Sequence, residues 1–212
     1  MSNYSSAFGQ KTTAQLEYAI RPYAWTVLRE LYPSCKVKPV TKPNNPPHPL
    51  DKYCGIDTLL FLECGGVLTV QEKYRENKFY TETRYRVDHS CPDFTQNYKI
   101  AVGTEHEANG EWFHLAAQLY FYAWATPNMD GLAAWMLMNI YDYVQLVEQA
   151  GGLDAIGKLC NNDRHSRTSF YAIPVNILRP AIMASYNLFE SGDYADPFLD
   201  ATAPHDDDPW AW

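Results

Sequence analysis

Two β-prone runs separated by a Gly-Gly pair constrain this chain more than any other stretch. They lie within DKYCGIDTLLFLECGGVLTVQEKYR, residues 51–75. Residues 56–63 are rich in apolar side chains and bounded by Gly55 and by Gly65-Gly66, which suits a strand. Residues 67–75 alternate. Val70, Glu72 and Tyr74 face one way, while Gln71, Lys73 and Arg75 face the other. The remainder of the chain reads as a scaffold around this hairpin.

The register of the hairpin decides which side chains meet. A three-residue turn, Cys64-Gly65-Gly66, with a glycine in the left-handed region, pairs Glu63 with Val67 and sets Asp57 opposite Lys73. Asp57, Gln71 and Lys73 then share one face. A two-residue Gly-Gly turn slips the pairing by one. It sets Asp57 opposite Tyr74 and replaces Lys73 by Glu72 on that face. The first register is favoured because it groups an acid with a lysine.

Upstream, a helix is expected from Thr12, where Thr12-x-x-Gln15 forms a capping box. Leu16, Ile20, Val27, Leu28 and Leu31 recur near helical spacing, Glu17 rides on the same helix, and Pro22 kinks it or starts a second one. Six prolines in residues 33–50 exclude a helix or a central strand there and imply an extended strap. Downstream, residues 79–87 alternate as a third strand, and residues 93–102 form a further one. Residues 111–125, EWFHLAAQLYFYAWA, read as a buried helix, apolar nearly all round, with Gln118 and Tyr122 four apart on one face. A buried strand over 135–141, a helix over 142–149 ended by Gly151-Gly152, a polar loop over 161–167, a strand over 169–173 and a last helix over 175–189 follow. The class is α+β, a mixed sheet of three or four core strands covered by helices. Residues 1–189 make one domain, and residues 190–212 an acidic tail expected to be disordered.

Charge bears on partners. The net charge is −8, and the seven acids of residues 190–212, with no Lys or Arg among them, account for all but one of it. The first hundred residues are mildly basic, so a nucleic-acid partner is allowed. Five cysteines without CxxC spacing give neither a disulfide framework nor a zinc ribbon. No basic-then-apolar leader is visible, and no apolar run approaches the ~18–20 residues of a membrane span. A soluble, reduced, cytoplasmic protein without a membrane partner is expected.

A site that cuts phosphodiesters needs oxygen ligands for a divalent metal, one or two of them carboxylates, and a cation near the attacking water or the phosphate. Asp57 with Gln71-x-Lys73 on the neighbouring strand supplies this set. At these residues the chain resembles the PD-(D/E)xK nuclease superfamily. Gly55-Ile56-Asp57 looks like its first acid. Gln71-Glu72-Lys73 resembles the Q-x-K variant of Mrr-like restriction endonucleases, and Gln118-x-x-x-Tyr122 resembles the QxxxY of RecB-like nucleases. Glu17 matches the acid that the superfamily often adds from its first helix. The resemblance covers about residues 12–141. It implies a restriction-endonuclease-like core and a nuclease using Mg2+, with Mn2+ able to substitute, held by Asp57, Gln71 and Glu17. Lys73 would orient water, Gln118, Tyr122 and Arg75 would position substrate, and DNA is the expected nucleic acid. The alternatives are an inactive protein of that fold that binds nucleic acid or protein, and an interaction or inhibitor protein whose acidic tail meets a basic partner. A homodimer is compatible with either.

Overall fold

The structure is a computed structural model that describes residues 13–41, 46–162 and 167–189. The expected cap at Thr12, the middle of the 161–167 loop and the acidic stretch from residue 190 lie outside the described residues.

The chain opens with α1 (Thr13–Leu31), which continues through Pro22 undivided. Leu16, Ile20, Ala24 and Leu28, four apart, form its buried stripe. Next come β1 (Lys36–Pro39), α2 (Pro49–Cys54), β2 (Thr58–Phe61), β3 (Val67–Arg75) and α3 (Lys78–Thr81). Then follow β4 (Asp93–Ile100), β5 (Ala108–Asn109), β6 (Leu119–Ala125), β7 (Leu132–Asn139), α4 (Ile140–Ala150) and α5 (Leu153–Ile156). The last elements are β8 (Lys158–Asn162), β9 (Thr168–Pro174) and β10 (Ile182–Tyr186).

The class is α+β, as expected, but with two sheets. A six-stranded mixed sheet has the order β1-β2-β3-β6-β7-β10, and a four-stranded sheet the order β5-β4-β9-β8. In the first, β3 and β6 run parallel and the other neighbours antiparallel. Its one face carries α1, with Leu28, Leu60, Val70, Phe121 and Leu137 between them. Its other face meets the second sheet and α4 through Phe94, Tyr122, Trp124, Met136, Tyr143 and Ile173. Phe94 of the second sheet is fully buried and meets Tyr120, Tyr122 and Tyr143 at ring-centroid distances of 5.0–5.5 Å. A phenylalanine so buried contributes about 1.5–3 kcal/mol relative to exposure.

Four sequence expectations are corrected. Residues 111–125 are not a helix. A 3-10 turn spans Glu111–His114 and β6 follows. Every residue of β6 is buried, because α1 covers one face of it and the second sheet and α4 the other. A strand covered on both faces reads as a continuous apolar run, which mimics a buried helix. Residues 79–87 are not a third strand but α3 and the 3-10 turn Thr83–Tyr85. Residues 175–189 are not a helix either. A 3-10 turn, Val175–Ala181, holds Pro180, and the chain then extends as β10. Finally, the proline-rich strap contains the edge strand β1, whose last residue is Pro39, and α2, whose first is Pro49.

The hairpin has a three-residue turn, set one residue earlier than expected. Leu62 N–H donates to Gly66 O at 2.9 Å and Gly65 N–H to Leu62 O at 3.0 Å, so the turn residues are Glu63, Cys64 and Gly65. The left-handed third position falls on Gly65, with φ 89°. Thr58 pairs with Val70, and Phe61 with Val67. The slip relative to the expected register is two residues, so Gln71 and Lys73 keep their shared face of β3 while Asp57 no longer stands opposite Lys73.

Candidate functional site

Asp57 reaches its position through α2. That helix ends at Gly55, whose left-handed backbone (φ 58°) turns the chain, with Gly55 N–H donating to Asp51 O and Ile56 N–H to Leu50 O. The strand then starts with an irregularity. Thr58 pairs with Val70, and Asp57 N–H also donates to Val70 O at 2.9 Å. Two residues thus oppose one, the mark of a β-bulge. Beyond it β2 supplies no further backbone, and the Asp57 side chain takes its place: Oδ2 accepts from Glu72 N–H at 2.8 Å.

Around Asp57 the field is negative. Burial is the largest cause, and Glu72 the next, of a carboxyl pushed up to about 8; Asp51 adds to it, while the Glu72 N–H bond and Arg21 oppose. Glu72 is buried on the α1 face, where its carboxylate accepts from Arg21 Nε at 2.7 Å and Trp25 Nε1 at 2.9 Å. Glu17 lies in the same field. Burial raises its pKa against the pull of Arg21, and Glu72 and Asp51 raise it further.

The opposite face of β3 carries Gln71 and Lys73, and both meet a residue that no sequence signal marked. Glu111, in the 3-10 turn before β6, accepts from Gln71 Nε2, from Tyr120 OH and from Lys73 Nζ, the last at 2.8 Å. Lys73 Nζ also donates to Thr95 O at 2.8 Å, and the Tyr122 hydroxyl meets Thr95 Oγ1 at 3.0 Å. The Lys73 and Glu111 side chains are only 15% and 14% exposed. Burial lowers the Lys73 pKa, and the Glu111 carboxylate opposes that shift. The Gln71 Oε1 atom is buried without a hydrogen-bond partner. It lies against Gly55, where an added Cβ would stand 2.9 Å from it.

The expected constellation is therefore formed in part. Asp57 and Gln71 flank one peptide of β3, since Asp57 caps the N–H that follows Gln71. Lys73 pairs with Glu111, not with Asp57. Glu17 stays with Arg21 and Glu72 on the α1 face, across the sheet from Lys73. Gln118 and Tyr122 share no helix face, because β6 replaces the helix. Gln118 is exposed ahead of β6, its Oε1 accepting from Thr69 N–H at 3.0 Å. Tyr122 pairs in register with Lys73 and reaches it through Thr95. Arg75, on the Lys73 face, lies over the Phe79 ring at 4.2 Å. Glu17, Arg21 and Trp25 recur every fourth residue, so one helix face could have been read in the sequence as the holder of Glu72.

As to a metal, no group of three or more His, Cys, Asp or Glu side chains among the described residues could hold one. At this end of β3 the Gln71 Oε1 atom has no hydrogen-bond partner, and Asp57 Oδ2 accepts from Glu72 N–H. Magnesium is commonly held by one or two carboxylates, with water and substrate phosphate completing its shell.

Compared with protein-family models, with curated proteins and with solved structures, the chain matches none. Among the described residues no helix is long and apolar enough to cross a membrane.

Proposed function

We propose that this protein is a divalent-metal-dependent hydrolase of nucleic-acid phosphodiester bonds, with a core of the restriction-endonuclease type and DNA as its substrate. One observation carries the reading. A buried amide oxygen of Gln71 without a partner sits against Gly55, two residues before Asp57, whose carboxyl is raised to about 8 by burial and by Glu72 and caps the N–H that follows Gln71. Both are oxygen donors whose unmet need a cation would fill.

In this reading Asp57 and Gln71 hold Mg2+ or Mn2+, and Glu17 contributes negative field instead of a ligand. When bound, the cation supplies Lewis acidity to the phosphate and acidifies a water. Lys73 has three N–H donors and spends two, on Glu111 and Thr95. The third is free for a phosphate oxygen or the attacking water. Glu111 holds Lys73 and the Gln71 amide in place, and Tyr122 fixes Thr95.

The test is cleavage of labelled DNA and RNA with Mg2+, with Mn2+ and with chelator. Metal-dependent cleavage that disappears in Asp57→Ala, Gln71→Ala and Lys73→Ala is the expected result. The Lys73–Glu111 ion pair favours a second reading, a non-catalytic nucleic-acid binder in which the lysine charge is already spent. Salt-sensitive binding by a protein that cuts neither substrate selects that second reading.

A further inference from the structure

Beside Lys73 lies a cavity of about 450 Å3 between the end of β3, residues 79–89 and the second sheet. Its charge runs against that of the chain. Arg75, Arg84, Arg86 and Lys158 line it, against the single acid Asp93, in a protein of net charge −8. Its apolar walls include three rings, Phe79, Tyr85 and Phe170.

The cations are positioned in advance. Arg75 lies over Phe79 at 4.2 Å, and Arg84 over Tyr85 at 4.7 Å while pairing with Glu82 on the rim. Arg86 donates through its two terminal nitrogens to the carbonyls of Tyr80 and His89. Yet Arg75 Nε and Arg86 Nε are both buried and have no acceptor. Asp93 Oδ2 accepts from Val87 N–H at 2.7 Å, and its buried Oδ1 has no donor. Two donors lack an anion, and one acceptor lacks an N–H or O–H. A phosphate answers the exposed cations Arg84 and Lys158 that line the pocket, with Arg75 and Arg86 adding positive charge behind them. A nucleobase amino group or a sugar hydroxyl answers Asp93, and the rings offer a face to a base.

We propose that this pocket binds one unpaired nucleotide of a single-stranded nucleic acid and leads the strand toward Lys73. The inference rests on the phosphodiester reading above and deepens it by naming the substrate class. A base held within a duplex stack cannot enter such a pocket without flipping out. The route is short. Thr95 lines the pocket and its carbonyl accepts from Lys73, and Arg75 follows Lys73 by two residues on the same face of β3.

The experiment is fluorescence anisotropy of the full chain, in chelator, with a labelled 12-mer as single-stranded DNA, single-stranded RNA and duplex DNA. A mononucleotide serves as competitor. Because chelator removes the metal, failure here is separate from failure of cleavage. Expected is single-strand binding at least tenfold tighter than duplex binding, weakening steeply with salt. Tyr85→Ala should weaken it by about 5- to 100-fold through lost stacking. Arg84→Glu with Lys158→Glu should weaken it by about tenfold or more. All three positions are exposed, so far-UV circular dichroism should stay unchanged. Equal affinity for duplex, a mononucleotide bound as tightly as the strand, or variants that bind like the wild type would each overturn the proposal.

Discussion

Asp57→Asn isolates the carboxyl on which the site depends. Asparagine retains an oxygen acceptor for Glu72 N–H and removes only the ionisation. In the folded wild type the Asp57 carboxyl is raised from its ordinary 3.8 to about 8. The folded state therefore binds more protons than the unfolded state between those values, and stability falls as pH rises. The stabilisation is fully present below pH 4 and gone above pH 8. Each pH unit in this window costs about 1.4 kcal/mol, so the loss between pH 5 and pH 8 is on the order of 3–4 kcal/mol from this group alone. Asp93, raised to about 6 chiefly by burial, adds about 1 kcal/mol over the lower part of the window. Glu17, raised by burial, acts in the same direction. Urea unfolding from pH 5 to pH 8.5 in chelator should show the wild type losing most of this amount and Asp57→Asn losing only the remainder due to Asp93 and Glu17. At pH 8, Mg2+ should then restore stability to the wild type and not to the variant. Equal slopes in the two proteins would refute the assignment of the raised carboxyl to Asp57.

Two further substitutions probe the opposite face and the turn. Lys73→Met leaves Glu111 a confined anion and should cost about 3 kcal/mol in urea unfolding; adding Glu111→Gln should recover part of that loss. Gly55→Ala places a Cβ 2.9 Å from Gln71 Oε1 at a left-handed φ of 58°. It should lower stability by about 1–2 kcal/mol in a thermal melt and also reduce any Mn2+-dependent cleavage by displacing the amide.

The parts of the fold governed by local periodicity were legible. The α1 stripe and the β2–β3 hairpin follow from spacing and turn chemistry. So do the strands at 93–100 and 168–174 and the helix closed by Gly151. What failed was set by burial on two sides. Residues 119–125 alternate between two cores, Phe121 toward α1 and Tyr120 and Tyr122 toward the second sheet. Each face is apolar, so no period remains to reveal a strand. Of the expected grouping, the shared face of Gln71 and Lys73 on β3 was legible from the alternation of the strand. The bulge that turns Asp57 toward Glu72, and the choice of Glu111 as the partner of Lys73, depend on contacts across 15 and 38 residues of sequence. No local pattern encodes them.

Both acceptors of Lys73 are supplied by the excursion of chain between the parallel strands β3 and β6, Thr95 from β4 and Glu111 from the turn before β6. Closing that loop is an entropic cost that must be met before these contacts form. The burial that lowers the Lys73 pKa is therefore completed by chain remote from it in sequence. An opening of the second sheet that left the six-stranded sheet intact would remove the Thr95 acceptor and expose the Lys73 ammonium while leaving its pair with Glu111. The reactivity of this one amine toward an acylating reagent should therefore rise with any opening that separates Thr95 from Lys73.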